Sequence, residues 1–230
     1  MTGREFLLQT LRSQGLVHVF LVPGGHIDPL VAELGKGVGL QPIVAAHEEG
    51  AGFMADGYAR VSGRFGTCLC IGGPGAANVL PAAIAARSDR ARVLFITGDV
   101  PTTLQGRGAF QDGSLDGTRD SEFLRPATVY SEEVELASQL PRQMAAAFRA
   151  MFGVPSGPAH LSVPTDIQNA SLGAEAGVCP ALGRDRVLSD DRGPGEWLRV
   201  PVARGDERSL QRAGSAWWNT VTVPRSWGEV

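Results

Sequence analysis

Two adjacent acids, Glu48 and Glu49, follow the apolar run Ile43-Val44-Ala45-Ala46 and open the helix-like segment Gly50-Ala51-Gly52-Phe53-Met54-Ala55-Asp56-Gly57-Tyr58-Ala59-Arg60. The run suits a buried strand, so Glu48 falls at a strand's carboxyl end, where open α/β sheets bind their ligands. A carboxylate held partly out of water needs a partner or a proton, and either lets it hydrogen-bond to a bound molecule or exchange a proton with it. Glu48 is therefore the first candidate for a catalytic group. His47-Glu48 also starts like a zinc-protease helix, but position 51, where the second histidine would fall, is alanine, so no metal site is assigned. The turn Gly73-Pro74-Gly75-Ala76-Ala77-Asn78 follows a strand-like run and opens a helix, as phosphate-binding turns do. Asn78, however, replaces the third glycine of a dinucleotide fingerprint. The turn also lacks the Gly-Lys-Ser/Thr ending of a P-loop, and the single lysine, Lys36, lies elsewhere, which argues against nucleotide hydrolysis.

The elements that must position these residues are legible as an alternation. Thr2-Gly3-Arg4-Glu5 has the form of a capping box, and Phe6, Leu7 and Leu11 repeat at helical spacing until Gly15. Val17 to Val22 reads as a strand ended by Pro23-Gly24-Gly25, and Ile27, Leu30, Val31 and Leu34 give a short amphipathic helix. Further strand-like runs at 43–46, 67–71, 93–97 and 159–163 are separated by helix-like segments around 49–61, 75–87 and 132–152. Strands and helices in alternation predict an α/β fold, a parallel sheet with helices on both faces and right-handed crossovers.

Composition is that of an ordinary globular chain: 230 residues, 43% hydrophobic, 20% charged and a formal charge of −3, which gives no electrostatic case for binding nucleic acid. A domain of roughly 170 residues buries about 70% of its unfolded surface and needs neither disulfide nor structural metal. Cys68 and Cys70 lie two apart in a strand-like run, so they share one face, while Cys179 stands alone. The first residues carry no basic segment followed by an apolar core, and no apolar run approaches the ~18 residues of a membrane span, so a cytoplasmic, reduced protein is expected. The periodicity fades near Asn169, and all four tryptophans, Trp197, Trp217, Trp218 and Trp227, fall beyond it. We read residues 1–168 as one domain. Residues 169–230 read as a tail of different character: irregular chain, a docked extension, or sequence read in a shifted frame.

Taken in order, the motifs resemble a known family. They are Pro23-Gly24-Gly25, the stretch from His47 to Gly52 with Gly57-Tyr58-Ala59-Arg60, the turn from Gly73 to Asn78, and Ile96-Thr97-Gly98-Asp99-Val100-Pro101. Ala109-Phe110-Gln111-Asp112 and the run from Gly157 to Gln168 follow. Together they are similar to the amino-terminal pyrimidine-binding domain of acetolactate synthase-like thiamine-diphosphate-dependent enzymes. The resemblance implies thiamine diphosphate as cofactor and 2-oxo acid decarboxylation or carboligation as chemistry. It places Glu48 against the pyrimidine ring nitrogen, where a charge-assisted hydrogen bond favours the tautomer that takes the proton from the thiazolium carbon. It implies that Pro23, Gly24, Gly25, Gly73, Gly75 and Asn78 bring main chain and an amide to the cofactor, and that His26, Phe110 and Gln111 approach substrate or intermediate.

Full-length relatives of this type continue into further domains, one of which holds the diphosphate through magnesium behind a Gly-Asp-Gly motif. No Gly-Asp-Gly occurs here, and the asparagines are Asn78, Asn169 and Asn219 only. A complete site is therefore expected to need a diphosphate-binding domain or subunit, in a homo- or hetero-oligomer that supplies the magnesium, and whether this chain alone is an enzyme stays open. The alternatives are one subunit of a split thiamine-diphosphate decarboxylase, or a noncatalytic interaction protein that keeps the fold.

Overall fold

A computed structural model describes residues 1–173, all within the first of two units of the chain, Met1–Leu182. Cys179, the four tryptophans and most of the tail lie outside the described residues.

Six strands, β1 (His18–Leu21), β2 (Gln41–Val44), β3 (Gly66–Ile71), β4 (Val93–Asp99), β5 (Tyr130–Glu133) and β6 (Ala159–Pro164), form one all-parallel sheet in the order β2-β1-β3-β4-β6-β5. Among the described residues seven α-helices accompany them: α1 (Gly3–Ser13), α2 (Asp28–Leu34), α3 (Glu48–Ser62), α4 (Pro74–Ser88), α5 (Asp120–Leu124), α6 (Leu140–Met151) and α7 (Thr165–Asn169). The expected capping box is present: Thr2 Oγ1 accepts the Glu5 N–H while Glu5 Oε2 accepts the Thr2 N–H at 2.7 Å.

Strand alternation divides the core in two. Val19, Leu21, Leu69, Leu94, Ile96, Leu161 and Val163 face α1, α2 and α6, where Phe6, Leu30, Leu34 and Phe148 complete one apolar layer. Phe20, Cys68, Cys70, Val93 and Phe95 face α3, α4 and α5. That second layer is filled by alanines, among them Ala51, Ala55, Ala76 and Ala82, so these helices lie close to the sheet and to each other. Cys68 and Cys70 share this face as expected, buried and free.

Two readings need correction. The run at 43–46 is not a buried strand: β2 lies at the sheet edge, its residues exposed or half-buried, with Val44 64% exposed and Pro42 at a place only an edge strand tolerates. The segment 132–152 is not one helix, because its first residues pair with β6 as β5, and α6 starts only at Leu140. Packing also continues past 168, where Thr2 bridges Ser171 and the buried Leu172 donates its N–H to the Met1 carbonyl.

Candidate functional site

The strand order places a crevice. From β1 the chain steps outward to β2, then returns past β1 to β3 and onward to β4, so connections diverge between the carboxyl ends of β1 and β3. Such switch points are where open α/β sheets bind ligands. The loop after β1 carries Pro23, Gly24, Gly25 and His26; the turn after β3 carries Gly73 and Gly75; the loop after β2 delivers Glu48.

Glu48 is the first residue of α3 and is half-buried. His47, which drew the zinc comparison, is instead the helix cap, its Nδ1 accepting the Glu49 N–H at 3.2 Å. Glu49 is half-buried beside it. Asn78, one turn into α4, donates from Nδ2 to Glu48 Oε2 at 2.9 Å, a neutral amide oriented on a carboxylate. Gly75 lies between them and the sheet: a β-carbon there would stand 2.8 Å from Ile71 Cγ1 and 3.7 Å from Glu48 Oε1. Gly73, with φ 60° and ψ −114°, makes the sharp turn into α4 in a conformation that disfavours any side chain.

The neighbouring loops close on this turn. A β-carbon on Gly24 would fall 2.5 Å from Ile71 Cγ2, so the β1 loop lies against the end of β3. Pro23 and Gly25 remain exposed. His26 sits in a short 3-10 turn, Gly25–Ile27, whose backbone rests on Gly98 so closely that a side chain there would overlap the His26 carbonyl. Gln168 donates to that carbonyl at 2.8 Å. Burial holds the His26 imidazole below its ordinary pKa, partly offset by the charge of Asp112. Gln111, in the left-handed region at φ 59°, backs onto Gly73, while Phe110 is 81% exposed and stays out of the turn.

The structure thus brings Glu48, Asn78, Gly73, Gly75 and Gln111 together, with the β1 loop alongside. It also reveals two acids to which the sequence reading gave no role. Asp99, at the end of β4, accepts the N–H groups of Val100 (2.7 Å) and Gly113 (2.9 Å). Asp120, at the start of α5, accepts the Gly73 N–H at 2.7 Å and the Thr118 hydroxyl at 2.6 Å. Both are fully buried residues, and burial pushes each carboxyl up to about 6 against these stabilising bonds. Asp112, nearer the surface, goes the other way: hydrogen bonds from Ser114 and the Gly106 N–H outweigh its burial and lower its pKa. The signal that could have revealed Asp99 was its place directly after six strand residues, where a lone acid must find donors.

The parallel sheet, its switch point and the acid-amide pair there define an α/β cofactor-binding domain. Residues 1–119 match the family model "Thiamine pyrophosphate enzyme, N-terminal TPP binding domain", and the chain belongs to that family. It is 34% identical over 193 residues to acetolactate synthase isozyme 1 large subunit of Escherichia coli, covering 81% of this chain and 34% of the relative. Identity to an acetolactate synthase of Arthrospira platensis is 38% over 220 residues, covering 93% of this chain and 34% of the relative. The isozyme 2 large subunit of Escherichia coli is 37% identical over 171 residues, 74% of this chain and 30% of the relative. The chain therefore spans about a third of the length of these relatives. No helix among the described residues is long and apolar enough to cross a membrane.

Proposed function

We propose that this chain is the pyrimidine-binding part of an acetolactate synthase-like enzyme that decarboxylates and joins 2-oxo acids, with Glu48 as the acid that faces the aminopyrimidine of thiamine diphosphate. One observation carries the reading: a half-buried carboxylate, oriented by Asn78, stands beside a glycine where a side chain would intrude, at the switch point of a parallel sheet. The cofactor, when bound, supplies the carbon nucleophile; the chain's residues hold and polarise it. Asn78 occupies one side of the carboxylate and leaves Oε1 on the Gly75 side for a ring nitrogen. In this reading Gly24, Gly73 and Gly75 let the two loops pack closely on Ile71 and Gln111, while the exposed Pro23 and Gly25 offer main chain to a flat heterocycle. His26, whose pKa burial lowers, can donate a hydrogen bond from its ring N–H to a substrate carboxylate, and Gln111 borders the Gly73 turn.

In this reading magnesium and the diphosphate belong to another domain or a partner subunit, as the resemblance to the full-length enzymes implies. In that arrangement the site is completed by assembly.

Amide NMR of the full chain with millimolar thiamine as probe tests the reading. Perturbations should cluster at residues 22–26, 48–50 and 73–78 and should vanish in Glu48→Gln. Perturbations elsewhere, or a response that survives the substitution unchanged, would overturn it.

A further inference from the structure

The glycine turn that starts α4 is held from outside by a side chain far away in sequence. Its N-cap residue, Gly73, has no side chain with which to cap the helix, and its φ and ψ lie where only glycine is at ease. The Gly73 N–H is directed into the protein and ends on Asp120 Oδ2 at 2.7 Å. The other oxygen of that carboxylate is engaged too, by the Thr118 hydroxyl at 2.6 Å. Between Pro74 and Asn78, ahead of the internal Pro81, α4 is helical, so the orientation of the Gly73 peptide sets where Asn78, five residues on, meets Glu48.

We propose that Asp120 is a positioning residue for the Glu48–Asn78 pair: its carboxylate fixes the Gly73 turn, and α4 transmits that position to the amide that orients the acid. The proposal rests on the reading of Glu48 given above. The same carboxylate ties in the loop that carries Phe110 and Gln111. Gly113 lies so close that a side chain there would overlap it; the Gly113 carbonyl accepts the Asp120 N–H at 2.9 Å, and the Gly113 N–H goes to Asp99. Loop and turn are therefore registered against one buried group. Burying a carboxylate is costly unless donors surround it, and its elevated pKa records that cost. What the turn draws from this side chain is an acceptor for the Gly73 N–H.

The test is NMR of the full chain, following the Gly73 amide and the Asn78 side-chain amide in Asp120→Ala, Asp120→Asn and Thr118→Val. Asp120→Ala should speed hydrogen exchange at Gly73 by roughly tenfold or more, the equivalent of one lost charge-assisted bond. It should also move the Asn78 side-chain signals toward those of Glu48→Gln. Asp120→Asn, which keeps an acceptor, should restore most of the wild-type positions. Thr118→Val, at an exposed residue, should move the same signals in the same direction by less, and it decides the matter if Asp120→Ala does not fold. A variant set that lowers thermal stability but leaves the Asn78 signals in place would overturn the proposal, because a merely structural acid has no reason to reach them. The two readings fail separately. A thiamine response indifferent to Glu48→Gln removes the functional reading while leaving Asp120 as the turn's anchor; Asn78 signals indifferent to Asp120 remove the positioning role alone.

Discussion

At the scale of single residues the site depends on who donates to whom. Glu48 and Asn78 are thirty positions apart and meet at 2.9 Å, so removing the amide should be felt by anything the carboxylate binds. Asn78→Ala is expected to weaken the thiamine response of the full chain by roughly tenfold, the scale of a hydrogen bond to a charged group, while leaving the fold intact; chemical-shift titration reads both. Glu48 stood out in the sequence by its place after an apolar run, and the glycines and Asn78 were singled out through the family resemblance of the short motifs that carry them. Asp120 was not, since it follows Gly113-Ser114-Leu115-Asp116-Gly117, where an acid looks like one more polar loop residue. Its burial is a product of tertiary structure: only when Gly72, Gly73 and Gly113 converge does a cavity for its carboxylate exist.

At the scale of elements, the distance between the acid and its amide is a distance between two helices. α3 and α4 touch at Gly52, where a β-carbon would lie 2.7 Å from that of Ala82 and 3.5 Å from a ring carbon of Phe95. Gly52→Val should force the helices apart, cost about 1–3 kcal/mol as overpacking does, and weaken the Glu48–Asn78 bond together with stability. Urea unfolding and the Asn78 side-chain signals check the two effects. The sequence made α3 and α4 plain, with starts within one residue, because each follows a strand-like run and a glycine-bearing or acidic turn and is rich in alanine, the strongest helix former. It hid β5, whose four residues Tyr130-Ser131-Glu132-Glu133 offer one cycle and a half of alternation before the strong amphipathic run of α6 takes over. It misjudged β2 because Ile43 and Val44 are as apolar as core residues, and edge position is set by strand order, which no local pattern encodes.

At the scale of the molecule, buried titratable groups give stability a two-sided pH dependence. His160, fully buried on β6, exchanges hydrogen bonds with Thr97 Oγ1 at 3.0 Å and Ser131 Oγ at 2.9 Å, pinning β4 and β5 to the strand between them. Burial lowers its pKa from 6.5 to about 3, so its contribution is complete above pH 6.5 and is lost as pH falls toward 3. Asp99 and Asp120 are raised from 3.8 to about 6, so theirs is complete below 3.8 and is lost as pH rises through 6. Between pH 6 and 4 acidification therefore strengthens one set and weakens the other. His160→Gln is expected to lower stability by about 2–4 kcal/mol at pH 7 through its broken bonds and to uncover a net gain on acidification from pH 7 to 5. Urea midpoints of variant and wild type across that range give the measurement, and parallel pH curves would contradict the assignment.

Gln168 grips the carbonyl of His26, 142 residues earlier, and the Thr2–Ser171 bridge joins the first residues to the end of the described chain. Because a chain is made from its amino terminus, every candidate site residue leaves the ribosome before the strand that follows Gly157, and β4 waits for β6 to cover its open edge. The β1 loop gains its final anchor last. Ribosome-bound chains stalled before residue 159 should thus carry all the candidate site's residues but leave His26 unclamped, so the candidate site matures only once β6, the last strand in chain order among the described residues, has joined the sheet.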